Sequence, residues 1–176
     1  MGEVKPVDVL GVRVEMPTNQ PIVLLRERDG DRHLPIWIGA AEATAIAYAQ
    51  NGVEPPRPLT HDLLKDVITA LGHTVTQIRI VDLKDKVFYA VLVIDGTHEI
   101  SARPSDAIAL ALRTSTPIVV AEGVLDEAGV SLSPEDGEGE ASDETDEIER
   151  FREFLDHVSA EDFETPEAPG PDAPPA

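Results

Sequence analysis

Short runs of Val, Ile and Leu, broken by turn residues, open the chain. Val4–Met16 and Pro21–Glu27 read as strands separated by Pro17-Thr18-Asn19-Gln20, and the turn at Asp29-Gly30 leads into a third, His33–Ile38. The period then changes. Ala40–Gln50 reads as a helix, stopped by Asn51-Gly52, and the three prolines of Val53–Pro58 impose a loop. In His61–Leu71 the residues Leu63, Leu64, Val67, Ile68 and Leu71 follow the three-four spacing of a buried helical face, with Thr60 as the expected N-cap and Gly72 as the stop. Strands are expected again at Thr74–Leu83, Val87–Ile94 and His98–Ala102. A helix from Pro104 to Thr114, a strand at Pro117–Ala121 and a short helical turn at Val124–Ala128 follow.

The pattern repeats. Ile36–Ala47, IWIGAAEATAIA, aligns without a gap with Ile100–Ala111, ISARPSDAIALA, and the Asp-Gly turns at 29–30 and 95–96 fall two residues out of step. The expected fold is α+β: a single domain over 1–130 with a mixed or mostly antiparallel sheet of six or more strands. It is built from a duplicated strand-strand-strand-helix unit, with the helix near 60–71 inserted between the copies and the others at 39–51 and 104–114.

Charge divides the chain at the same place as hydropathy. Residues 1–130 hold 12 Lys/Arg and 18 Asp/Glu, a net of −6, whereas 131–176 hold 2 and 16, a net of −14. Most of the −20 therefore belongs to the tail, and the domain is only mildly acidic. It is still not basic, so strong non-specific duplex binding by counterion release is not expected. The tail reads as an acidic disordered linker at 131–147, a short amphipathic helix at 148–160 and a Pro/Ala-rich disordered end at 161–176. The stripe Ile148, Phe151, Phe154, Leu155 and Val158 is too short to persist as an isolated helix, so it is expected to dock on the domain or a protein partner, or to remain disordered. There is no cysteine, which excludes disulfides and thiolate zinc sites. No window reaches the length of a membrane span and the N-terminus lacks a leader core, so the expected location is cytoplasmic.

Chemistry gathers at two helix starts. In Arg103-Pro104-Ser105-Asp106, Arg103 stands at the N-cap and Pro104 at the first helical position, which leaves Asp106 at N3, where a carboxylate can accept from free amides. Glu42 takes the same place after Gly39. Capping accounts for both acids but not for Arg103 and Ser105, which together make a corner suited to a phosphate. The second cluster is Arg57, His61 and Asp62. Histidine can be a general base and aspartate can hold a hard cation, although a polar pair at a helix start also has a plain capping role. Trp37, the one tryptophan, is read as core or interface packing. The alanine faces Ala43, Ala47 with Ile46 and Ala107, Ala111 with Leu110 allow close approach and, with Trp37, point to a homo-oligomer.

Four blocks in order, LPIWIGAAEATAIA (34–47), RPLTHDLL (57–64), VFYAVLVI (87–94) and ARPSDAIALALR (102–113), resemble the bifunctional nuclease (BFN) domain family over Val4–Val130. The resemblance implies cleavage of DNA and RNA, with nucleic acid as a weakly bound, salt-sensitive substrate. The chemistry of the residues supports a metal-assisted form of that reaction. Asp106, Glu42 and Asp62 would be ligands to Mg²⁺ or Mn²⁺, His61 would activate water, and Arg57 and Arg103, with Ser105, would hold the phosphate. The mild acidity of the domain keeps a second expectation open, a non-catalytic regulatory or scaffold domain for an anionic ligand or protein.

Overall fold

The structure, a computed structural model, describes residues 2–131. The expectations for 148–160, 161–176 and all of 131–147 except Ser131 lie outside the described residues. Among the described residues no helix is long and apolar enough to cross a membrane.

Among the described residues, eight strands and four helices follow one another. β1 (Val4–Glu15), β2 (Gln20–Glu27) and β3 (Arg32–Trp37) lead to α1 (Ala40–Gln50) and α2 (Thr60–Ala70). β4 (Val75–Lys84), β5 (Val87–Ile94) and β6 (His98–Ala102) lead to α3 (Pro104–Thr114). β7 (Ile118–Ala121), α4 (Glu122–Ala128) and β8 (Val130–Ser131) complete the order. The strands form one mixed sheet in the order β6-β5-β4-β7-β1-β2-β3-β8. β4–β7 is its parallel pair and the other pairs are antiparallel.

Local chemistry explains the hairpins. Lys84 pairs with Val87 across a two-residue loop, Asp85-Lys86, with φ of 49° and 65°. Two left-handed residues give the turn whose twist follows that of the strands. In β3, buried Leu34 and Ile36 alternate with the more exposed Pro35 and Trp37, the period of a sheet covered on one face. That covered face carries Val23, Leu25, Ile78, Ile80, Ala90 and Leu92, and α1 and α3 close over it with Ile46, Ile108 and Leu110.

The meanders β1-β2-β3 and β4-β5-β6 flank β7 in mirrored order, each followed directly by a helix. β7 runs antiparallel to β1 and parallel to β4, so β1 and β4 run in opposite directions. This brings α1 and α3 into contact, with Ala43, Ala45, Ala107 and Ala111 buried. The small-residue faces expected to support self-association are thus spent largely inside the domain.

Four further expectations change. α2 is not a core helix: none of its residues is buried, with Leu63 53% and Leu71 70% exposed, and of the five stripe residues only Ile68 packs on the core. The residue at its N-cap is Leu59, not Thr60. Trp37 is half-exposed and donates from Nε1 to Glu15 Oε2 at 2.8 Å, so it is no core residue. The sheet also takes in Ser131, one residue past the expected boundary, through the pairing of β8 with β3.

Candidate functional site

Two strand-to-helix junctions and the start of α2 meet in one polar cluster. α3 begins with Arg103 at its N-cap and Pro104 inside the first turn, and Asp106 follows at N3. α1 begins after Gly39, and Glu42 follows at N3. A side chain on Gly39 would place its Cβ against the Glu42 carboxylate, so the glycine leaves room for Glu42 to fold back over the helix start. Gly39 itself has φ −76°, open to any residue; close approach is its reason for being there.

Neither acid caps its helix. Arg103 takes both: its Nε donates to Asp106 Oδ2 at 2.6 Å and its Nη2 to Glu42 Oε1 at 2.7 Å. His61, at the start of α2, brings Nε2 to 3.0 Å from Asp106 Oδ1. The four residues come from three helices and form the chain His61–Asp106–Arg103–Glu42. The imidazole is largely covered, at 12% exposure, while the guanidinium is 66% exposed.

Burial pushes the Asp106 carboxyl up, but the hydrogen bonds from Arg103 and His61 outweigh it and hold the group below the usual aspartate range. The same bonds from Asp106 and then Glu42 push the Arg103 guanidinium further up. Asp106 is therefore an ionised acceptor, so His61 meets it with a proton on Nε2, and Nδ1 is the ring nitrogen turned away from that carboxylate. Two of the five N–H donors of Arg103 are engaged. The others remain for an anion, although two carboxylates already offset the guanidinium charge.

The remaining sequence candidates go elsewhere. Asp62 accepts from Arg113 Nε at 2.5 Å through Oδ1 and from the Leu59 amide at 3.0 Å through Oδ2, so it caps α2 while pairing with a buried arginine. Burial pushes its carboxyl up, and these two bonds more than reverse that. Arg57 is exposed in the proline loop and makes no hydrogen bond or ion pair among the described residues, so no contact joins it to the cluster. Ser105 is buried at the second position of α3, and its hydroxyl bonds to none of these groups. A second His–Asp pair, His73 Nδ1 to Asp95 Oδ2 at 2.6 Å, ties down the turn before β4, where Asp95 also accepts from the Thr74 amide.

These positions do not fit the expected metal centre. A cation shared by Glu42 and Asp106 would compete with the guanidinium that already bridges them, and Asp62 is committed to Arg113. Among the described residues no group of three or more His, Asp or Glu side chains is arranged to hold a metal ion. Arg113 went unread in the sequence. The available signal was a cation in the last turn of an otherwise apolar helix with alanine, not an acid, four residues earlier.

The model of the bifunctional nuclease domain matches residues 23–133, which include all four members of the cluster. The chain is 57% identical over 165 residues to the "Uncharacterized protein Rv1829" of Mycobacterium tuberculosis (strain ATCC 25618 / H37Rv), covering 93% of this chain and 98% of that protein. It is 29% identical over 118 residues to "Bifunctional nuclease 1" of Oryza sativa subsp. indica, covering 64% of this chain and 35% of the plant protein. To "Bifunctional nuclease 2" of Oryza sativa subsp. japonica it is 32% identical over 108 residues, 57% of this chain and 33% of the relative.

Proposed function

Because the chain belongs to the bifunctional nuclease domain family, we propose that it hydrolyses phosphodiester bonds in DNA, RNA or both, with His61, Asp106, Arg103 and Glu42 as its site. The names of the plant relatives support the activity class. The observation that carries the assignment to these residues is the His61–Asp106 pair set beside an exposed arginine.

Asp106 holds the Nε2 proton of His61 and so keeps Nδ1 as the base, the division of labour of a carboxylate-oriented histidine. Water attacking phosphorus gives its proton to Nδ1. The ester P–O bond breaks, and the leaving oxygen takes a proton from the imidazolium or from solvent. Arg103 places its free N–H donors on the non-bridging oxygens, where negative charge grows in the transition state. Glu42 and Asp106 hold that guanidinium from two sides, which fixes its plane. The cluster lies where the two like strand-helix units meet, the arrangement a duplicated unit gives to its helix starts.

A second reading, a domain that binds an anionic ligand without cleaving it, is favoured by one observation. Two carboxylates outnumber the one guanidinium, so only the fixed N–H donors of Arg103 can hold an anion there, an arrangement that brings no net positive charge to a transition state. Incubating the purified protein and a folded Asp106→Ala variant with single-stranded DNA and RNA separates the two. Cleavage by the wild type that the variant loses supports the nuclease, and parallel Mg²⁺, Mn²⁺ and EDTA arms show whether a divalent ion takes part. Binding without cleavage in every arm leaves the second reading standing. Self-association, in turn, would use the exposed apolar stripe of α2 and Trp37, and light scattering at micromolar concentration checks it.

A further inference from the structure

α2 carries His61 but is poorly anchored by burial. None of its residues is buried, and its outward side shows Leu63, Val67 and Leu71 to solvent. Hydrophobic packing alone therefore does little to set where His61 lies, and polar bonds must do it.

One residue supplies them from below. Arg113, on the last turn of α3, has a side chain only 7% exposed. Its Nη1 donates to Ala45 O of α1 at 2.9 Å and to Ala109 O of α3 at 2.8 Å, which pins the guanidinium to two packed helices. From that fixed position Nε reaches Asp62 Oδ1 at 2.5 Å. The other oxygen of Asp62 accepts from the Leu59 amide, and His61 is the residue immediately before Asp62. The packed core thus reaches the start of α2 through this guanidinium, beside the direct His61–Asp106 bond that it helps to keep in register.

We propose that Arg113 is a positioning residue for His61, acting through Asp62, and that it fixes the start of α2 so that the imidazole stays on Asp106. The planar fork is needed because three acceptors from three helices are met at once, which the point charge of a lysine cannot do. The proposal rests on the role given to His61 above, but its structural half can be read without any cleavage.

The test compares wild type, Arg113→Gln, Arg113→Lys and Asp62→Asn well below their melting temperatures. The readouts are the His61 imidazole NMR signals, amide hydrogen exchange along α2 and α1, and kcat and KM on single-stranded nucleic acid. A displaced base is expected to cost about 10²-fold in kcat. KM should stay within about twofold, because Arg103 keeps its place. His61 signals should shift and α2 amides should exchange faster while those of α1 do not, and Arg113→Lys should recover part of each effect. If Arg113→Gln does not fold, Asp62→Asn reads the same link. A folded variant with unchanged His61 signals and unchanged α2 exchange overturns the proposal. If the wild type cleaves nothing, the nuclease reading falls, and the NMR and exchange arms still decide whether Arg113 positions His61.

Discussion

α2 and α3 are both eleven residues long, both place apolar residues at helical spacing, and they lie against each other. α3 buries seven of its residues between the sheet and its helical neighbours, and α2 buries none. The difference shows what a periodic apolar stripe measures. It says that a helix has an apolar side, not that the domain offers a surface to cover it. The consequence for the site is unequal. Asp106 and Arg103 stand at the start of a helix fixed by close packing, whereas His61 stands on one held mainly by polar bonds.

Truncations in the two helices should sharpen this contrast most. Leu110→Ala or Ile108→Ala, at fully buried positions, is expected to cost about 2–5 kcal/mol in denaturant unfolding. Asp62→Ala should follow at about 3 kcal/mol, since it leaves the buried Arg113 without its counter-charge. Leu63→Ala, in the exposed stripe of α2, should stay within about 0.5 kcal/mol. A large loss at Leu63 would mean that the stripe is covered in solution.

Acid should weaken the cluster in a defined direction. Asp106 and Asp62 are both held below the ordinary aspartate value of 3.8. Their contribution to stability is therefore complete above that value and is lost as pH falls below it toward the folded-state values. Melting curves taken through the acid range should show this limb, and Asp106→Asn should flatten it. An acid limb equally steep in that variant would place the titration elsewhere.

Most of the scaffold was legible from local chemistry. Turn residues at Asp29-Gly30, Asp85-Lys86 and Asp95-Gly96 separate runs of β-branched and apolar residues, and the internal repeat foretold that α1 and α3 begin alike. The repeat set Glu42 and Asp106 at the third position of like helix starts, but that Arg103 bridges them is seen only in the fold. What spacing along the chain does not carry is where each cation goes. Asp62 looked like a ligand beside His61, but Arg113, fifty-one residues away, claims it. Arg57 looked like a second phosphate grip because it precedes His61 closely, yet the proline loop leaves it without a contact to the cluster. Thr60 had the chemistry of a cap, but Asp62 performs that task from inside the helix.

The smallest stability effect concerns the acidic segment. Cutting after Leu132 retains the β8 pairing and removes all 16 acidic residues of the segment, so the melting transition should barely move. Affinity for single-stranded nucleic acid should rise, most at low salt, where screening is weakest. Equal affinity of the full and shortened chains at low salt would remove electrostatic shielding from the account.

His61→Gln removes the nitrogen proposed as the base in phosphodiester hydrolysis, Nδ1 of His61. Glutamine can keep an N–H donor toward Asp106 while supplying no basic nitrogen. The variant should keep its melting transition and bind nucleic acid within about twofold of wild type, while its cleavage rate falls by at least about 10²-fold, the scale of a lost general base. A folded His61→Gln protein that cleaves at the wild-type rate would mean that the base lies elsewhere.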